Sequence, residues 1–153
     1  MNNKKLGTVF EQEVCDVLAN HGFWVHFITP DARGAQPFDI IAVKNKKAYA
    51  IECKTLASSK KYFDISRLED NQRLSFARWL MCGNGSPLIA VKHDSDILFI
   101  SYIDFLNSNG HINVWKTDDF NYKRNVNGYD ANGCNVYSYN VYSNDDILGG
   151  VDV

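Results

Sequence analysis

Apolar positions near the start of the chain recur at helical spacing. Phe10, Val14, Val17 and Leu18 fall at i, i+4, i+7 and i+8, one buried stripe on a helix over about residues 6–21. Gly22 follows where a helix C-terminus favours a left-handed residue, and it marks the stop. The period then changes. Phe23-Trp24-Val25-His26-Phe27-Ile28 is a short aromatic and β-branched run with strand character. Thr29 to Pro37, with two prolines and a glycine, breaks regular structure and delivers the chain to Asp39. From Asp39 to Lys54, two apolar strands flank a polar turn centred on Asn45-Lys46 or on Lys44 to Lys47, the pattern of a hairpin.

A second helix is predicted from roughly 66 to 82. Ser66 is its expected N-cap, and Glu69 stands three residues on in capping-box spacing. Its apolar members Leu68, Leu74, Phe76, Ala77, Trp79, Leu80 and Met81 spread widely enough to predict cover on both sides. Leu88 to His93 and Ile97 to Tyr102 form a second strand pair across Asp94-Ser95-Asp96, and Asp104 is placed to cap a short helix over residues 105–107. From Asn121 onward there are seven Asn and five Tyr in 33 residues. The alternating run Val136 to Tyr142 within them predicts an edge strand, followed by a mobile Asp- and Gly-rich end. With no internal repeat, the expectation is one domain over 1–153, residues 121–153 forming a polar extension.

Composition alters this picture little. A chain of 153 residues, 45% hydrophobic and 22% charged, can bury one real core and is not disordered wholesale. No apolar run is long enough for a membrane span or a signal peptide. Cys15, Cys53, Cys82 and Cys134 are scattered without a C-x-x-C pair, which argues against a structural zinc site or a disulfide framework. A reducing, cytoplasmic setting is therefore expected.

Charge alters it more. The formal net charge of −2 looks unsuited to nucleic acid, but residues 1–92 carry 13 Lys and Arg against 9 Asp and Glu, and residues 93–153 carry 3 against 9. Lys44, Lys46, Lys47, Lys54, Lys60, Lys61, Arg67, Arg73 and Arg78 all lie in or just after the hairpin, where they permit phosphate contacts.

An even-numbered hairpin loop makes paired residue numbers sum to 91, so Asp39 faces Glu52. Like charges opposed across a ladder are destabilising, and a hard divalent cation would compensate, since Mg²⁺ is held by one or two carboxylates with waters and phosphate oxygens. Lys54 shares the face of Glu52, while Cys53 points the other way. The alternative is a salt-bridged surface turn. On the first helix Glu11 and Glu13 both flank the apolar stripe, and helical geometry does not choose between them. His26 is expected to pack or cap rather than ligate, because no second His lies at ligand spacing.

The ordered set Gly7-Thr8-Val9-Phe10-Glu11, His21-Gly22-Phe23, Pro37-Phe38-Asp39-Ile40-Ile41-Ala42 and Ile51-Glu52-Cys53-Lys54 resembles the PD-(D/E)xK nuclease superfamily. Within it, the set is similar to the archaeal and Gram-positive Holliday-junction resolvases over about residues 5–100. Phe38 interrupts a strict Pro-Asp pair, and Asn71 stands where the Gram-positive branch has a His before Gln72. The resemblance implies an α/β fold, a restriction-endonuclease-like mixed β-sheet flanked by helices in the order α-β-β-β-α-β. It also implies Mg²⁺-dependent hydrolysis of DNA phosphodiesters, with Mn²⁺ as a substitute, by a homodimer acting on four-way junctions. Its site residues would be Asp39, Glu52 and the Cys53 carbonyl as metal ligands, Glu11 on a second metal or its water, Lys54 on the attacking water or phosphate, and Gln72 in support. The resemblance alone selects Glu11 over Glu13. Other readings are a restriction-like or flap-cutting nuclease of the same superfamily, or a DNA-binding module that does not cut.

Overall fold

The computed structural model describes residues 3–28, 37–113 and 136–139. The loop expected over Thr29 to Pro37, except Pro37 itself, and the tail apart from four residues, lie outside them. Helix α1 (Asn3–Asn20) precedes β1 (Trp24–Phe27), the hairpin β2 (Ile40–Lys44) and β3 (Lys47–Leu56), and a short β4 (Tyr62–Asp64). A 3-10 turn over Ile65–Arg67 leads to α2 (Asp70–Met81), then β5 (Leu88–His93), β6 (Asp96–Ser101), α3 (Tyr102–Asn107), β7 (His111–Asn113) and β8 (Val136–Tyr139). The main sheet is mixed, in the order β1-β2-β3-β5-β6-β8, with β3 parallel to β5 and β6 parallel to β8. A mixed sheet flanked by helices is the architecture expected above.

Each chain reversal has a local cause. At the end of α1, Phe23 N–H donates to Leu18 O at 3.1 Å and Gly22 N–H to Ala19 O at 3.0 Å, with Gly22 at φ +85°. This is the paired-bond helix stop that needs a left-handed residue, and Leu18 and Phe23 meet beneath it in one apolar cluster. The hairpin closes through Asn45 and Lys46 at φ 52° and 66°, a primed two-residue turn whose twist suits the flanking strands. Its ladder pairs Ile40 with Ile51 and Lys44 with Lys47, so partners sum to 91 as the pattern predicts.

The sheet is buried on both faces, as a sheet with a parallel centre requires. On one face α1 contributes Phe10, Val14, Val17 and Leu18 to a core with Ile40, Ile51, Ala90 and Phe99. On the other, α2, α3 and the small β4-β7 sheet bring Phe76, Phe105, Phe63 and Ile112 against Ala50, Ile89, Leu98 and Ile100. Successive residues of β3 and β5 alternate between the two cores, so β3 sends Tyr49, Ile51 and Cys53 toward α1 and Ala50, Glu52 and Lys54 toward the α2 side.

Four expectations need correction. The second helix starts at Asp70, not near 66, and its N-cap is Glu69 rather than Ser66. Ser66 sits in the 3-10 turn, where its N–H is held by the Asp64 carboxylate at 2.9 Å. Cover on both sides of α2 is not found: Leu74 is 52% and Met81 85% exposed, and the buried side is carried by Gln72 and Phe76. Asp104 does not cap α3, which starts after Ser101; it is buried inside the first turn.

Candidate active site

The hairpin ladder ends where the chemistry begins. Asp39 is one residue before β2, where the ladder has ended at Ile40–Ile51; its N–H donates to Ile51 O at 3.0 Å, and its carboxylate interacts with Glu52 on the α2 side of the sheet. The Asp39 carboxylate then turns along β3, and Oδ2 accepts the Cys53 N–H at 2.8 Å. Within a strand the N–H and C=O of one residue point to the same side. The Cys53 carbonyl therefore also faces the Asp39 side, past the last β2 partner, while its thiol packs against the α1 core.

Asp39 and Glu52 are each 4% exposed. Glu52 Oε1 accepts from Gln72 Nε2 at 2.6 Å and lies 3.7 Å from Lys54 Nζ. Glu52 Oε2 is buried with no hydrogen-bond partner among the described residues. Gln72 is itself fixed: its Oε1 accepts the Glu69 N–H at 2.9 Å, so the N-terminus of α2 sets which end of the amide faces Glu52. A cap placed at Ser66 hides this link, although a Gln three residues after Glu69 is the sequence signal for it.

Glu11 and Glu13 part company here. Glu13 Oε1 bonds Lys92 Nζ of β5 at 2.6 Å, tying α1 to the sheet. Glu11 lies against Asp39: burial first, then the Asp39 charge and a side-chain hydrogen bond with Asp39, push its pKa up to about 7. Glu52 is pushed to about 9, by burial and then by Asp39, with Lys54 pulling the other way and the Asp39 hydrogen bond and Glu11 adding to the rise. Three carboxyl groups and one ammonium are thus brought together from α1, the start of β2 and β3.

No group of three or more His, Cys, Asp and Glu side chains among the described residues is arranged as a ready-made metal cage. A cation that keeps several waters does not need one. The orphaned Glu52 Oε2, the neighbouring Asp39 carboxylate and the Cys53 carbonyl are hard oxygen donors, and carboxyl groups that hold protons against neutral water lack counter-charge. The residues present fit a hard divalent ion.

Not every expected base is available to phosphate. Lys44 Nζ donates to His21 O at the end of α1 and lies 5.0 Å from the Phe23 ring centroid. Arg67 donates to Thr55 O at 2.7 Å over the Phe63 ring. His26 is exposed and stacked beside Trp24. No helix among the described residues is long and apolar enough to cross a membrane.

No curated protein matches the chain. Among solved structures, the 1.6 Å structure of Hjc, a Holliday junction resolvase from the archaeal hyperthermophile Archaeoglobus fulgidus, is similar with a TM-score of 0.49 and 22% identity, over 62% of this chain and 76% of that one. The family model described as archaeal Holliday junction resolvase (Hjc) matches residues 2–122, which include every residue named in the carboxylate site. The chain belongs to the archaeal Holliday junction resolvase family.

Proposed function

We propose that this protein is a divalent-cation-dependent endonuclease that cuts four-way DNA junctions as a two-fold dimer. Family membership implies an endonuclease of branched DNA. The observation that carries the cation requirement is the buried Asp39–Glu52 pair with an unpartnered Glu52 oxygen and Lys54 at 3.7 Å. Two carboxyl groups in a dry pocket either keep a proton or, once both are ionised, repel a phosphate diester, and a cation between them and the phosphate relieves both.

In this reading Asp39, Glu52 and the Cys53 carbonyl would hold Mg²⁺, or Mn²⁺ in its place, and Glu11 would hold a second ion or a metal-bound water. When bound, the ion supplies Lewis-acid polarisation of the phosphate and lowers the pKa of the attacking water. Lys54, with Nζ 3.7 Å from Glu52 Oε1, would position the attacking water or offset negative charge growing on the phosphate. Gln72 keeps one Glu52 oxygen occupied and leaves the buried other one for the cation. A four-way junction is close to two-fold symmetric, and paired cuts on related strands require two sites, hence a C₂ pair of chains.

The experiment is cleavage of synthetic junction, flap, nicked and linear duplex DNAs by the full chain with and without Mg²⁺, beside Asp39→Ala. The expected result is cation-dependent cutting of the junction, lost in Asp39→Ala, which still binds junctions at least as tightly as wild type because an anion has been removed. Undiminished cutting in EDTA would sink the cation requirement. A preference for flaps or nicked DNA by a protein that sediments as a monomer would replace the resolvase reading with a flap-cutting or nicking one.

A further inference from the structure

Trp24 is 61% exposed on β1, the strand at one edge of the main sheet. Val25 and Phe27 turn toward the α1 core, so alternation sends Trp24 and His26 to the opposite face, the one that carries Asp39, Glu52 and Lys54. The indole and imidazole planes are within 10° of parallel, with centroids 6.1 Å apart. Their neighbours across β2 on that face, Val43 and Ile41, are half-buried, while Ala50 beyond Ile41 is wholly buried in the α2-side core, so the open approach to Asp39 runs along the β1 edge past His26.

His26 is opposite Ile41 and Trp24 opposite Val43, two and four residues along β2 from Asp39. Strand geometry then places them about 8 and 14 Å from Asp39. That is roughly two to four nucleotides along a stacked strand at about 3.4 Å each. Lys54 stands at the carboxylate end of this path, and exposed Lys46 in the hairpin turn lies beyond Trp24. Aromatic faces between flanking cations form the pattern that binds single strands, cations on the backbone and rings on the bases. Inside a duplex both faces of a base are already stacked, so the free ring face of Trp24 suits a base that has left its pair.

We infer that Trp24, backed by His26, is a stacking platform for an unpaired base of the DNA strand being cut, two to four nucleotides from the scissile phosphate. The inference rests on the nuclease reading above and adds to it a preference for DNA opened near the cut. It is tested with the full chain in EDTA by measuring affinity for a four-way junction, a duplex with a single-stranded tail, and a plain duplex. Trp24→Ala is expected to weaken the first two by roughly 5- to 100-fold and leave the plain duplex nearly unchanged. Trp24→Phe, which keeps a ring face, retains most of the affinity, and 5-iodouracil placed near the branch crosslinks to residue 24 on irradiation. Equal losses on all three DNAs, no loss on any, or a loss that coincides with dissociation of a dimer in sedimentation would overturn the platform. The two readings fail separately. Crosslinking at Trp24 without any cation-dependent cutting removes the nuclease, and normal junction cutting with all three affinities intact in Trp24→Ala removes the platform.

Discussion

A separation of two residues turns a helical side chain by about 200°, and that rotation divides the roles of Glu11 and Glu13. One reaches the buried Asp39, the other the Lys92 ammonium. Glu11→Gln is therefore expected to reduce cutting at least tenfold with little loss of stability, and Glu13→Gln to lower the unfolding midpoint while leaving the rate per folded molecule intact. Rate and urea-unfolding measurements on the two variants check this, and the reverse order would assign the site the wrong carboxylate. Gln72 donates to Glu52 Oε1 at 2.6 Å, a contact that would orient a metal ligand. Gln72→Ala should weaken Mn²⁺ binding, read by calorimetry, roughly 10- to 100-fold, the usual cost of losing a group that orients a metal ligand; unchanged affinity would leave it a helix cap only. Sequence alone did not separate the glutamates, because the partner that claims Glu13 is 79 residues away in the chain.

At the scale of elements, turns were more legible than helix starts. The hairpin could be read because an even loop fixes parity, and one residue of slip would have moved Asp39 off the Glu52 face. The start of α2 could not, because Asp64, Ser66 and Glu69 all carry cap-like side chains within six residues and two of them, Asp64 and Glu69, are used as caps, one for the 3-10 turn and one for the helix. The small β4-β7 sheet went unread as well, since three-residue strands are too short to show a period. Gly22 offers a direct test of the legible part. Its φ of +85° is disfavoured for any residue with a Cβ, and that Cβ would meet only the flexible end of Lys44 at 3.2 Å, so the penalty is conformational. Gly22→Ala should cost about 1 kcal/mol or more in urea unfolding.

Over the whole molecule, the carboxylate cluster is expected to make stability depend on pH and, if the proposed cation binds there, on the cation. Burial and the Asp39 charge push Glu11 up to about 7 and Glu52 up to about 9 from the ordinary 4.5, so the native state binds more protons than the unfolded chain in that window. Stability then falls as pH rises from the ordinary carboxylate range, through about 7 and on through about 9. In EDTA the Tm should decline across this range, and saturating Mg²⁺ should raise it most at the alkaline end, where the carboxylates are stripped of protons. A Tm that rises with pH, or Mg²⁺ stabilisation greatest in acid, would contradict the cluster.

Strand β8 adds a consequence at the same scale. The family model ends at residue 122, yet Val136–Tyr139 lies parallel along β6 and pairs Ile97 with Val136 through Ile100 with Tyr139. Without it, the polar backbone groups on that side of β6 would be left as a template for any extended chain that arrives. Strand β8 thus occupies the side of β6 that would otherwise be open. A chain cut after residue 122 should keep its carboxylate site and its junction cutting when freshly purified. Light scattering over hours at micromolar concentration should then show it clumping while the full chain stays clear; equal clarity would mean that the sheet is protected by something other than its own tail.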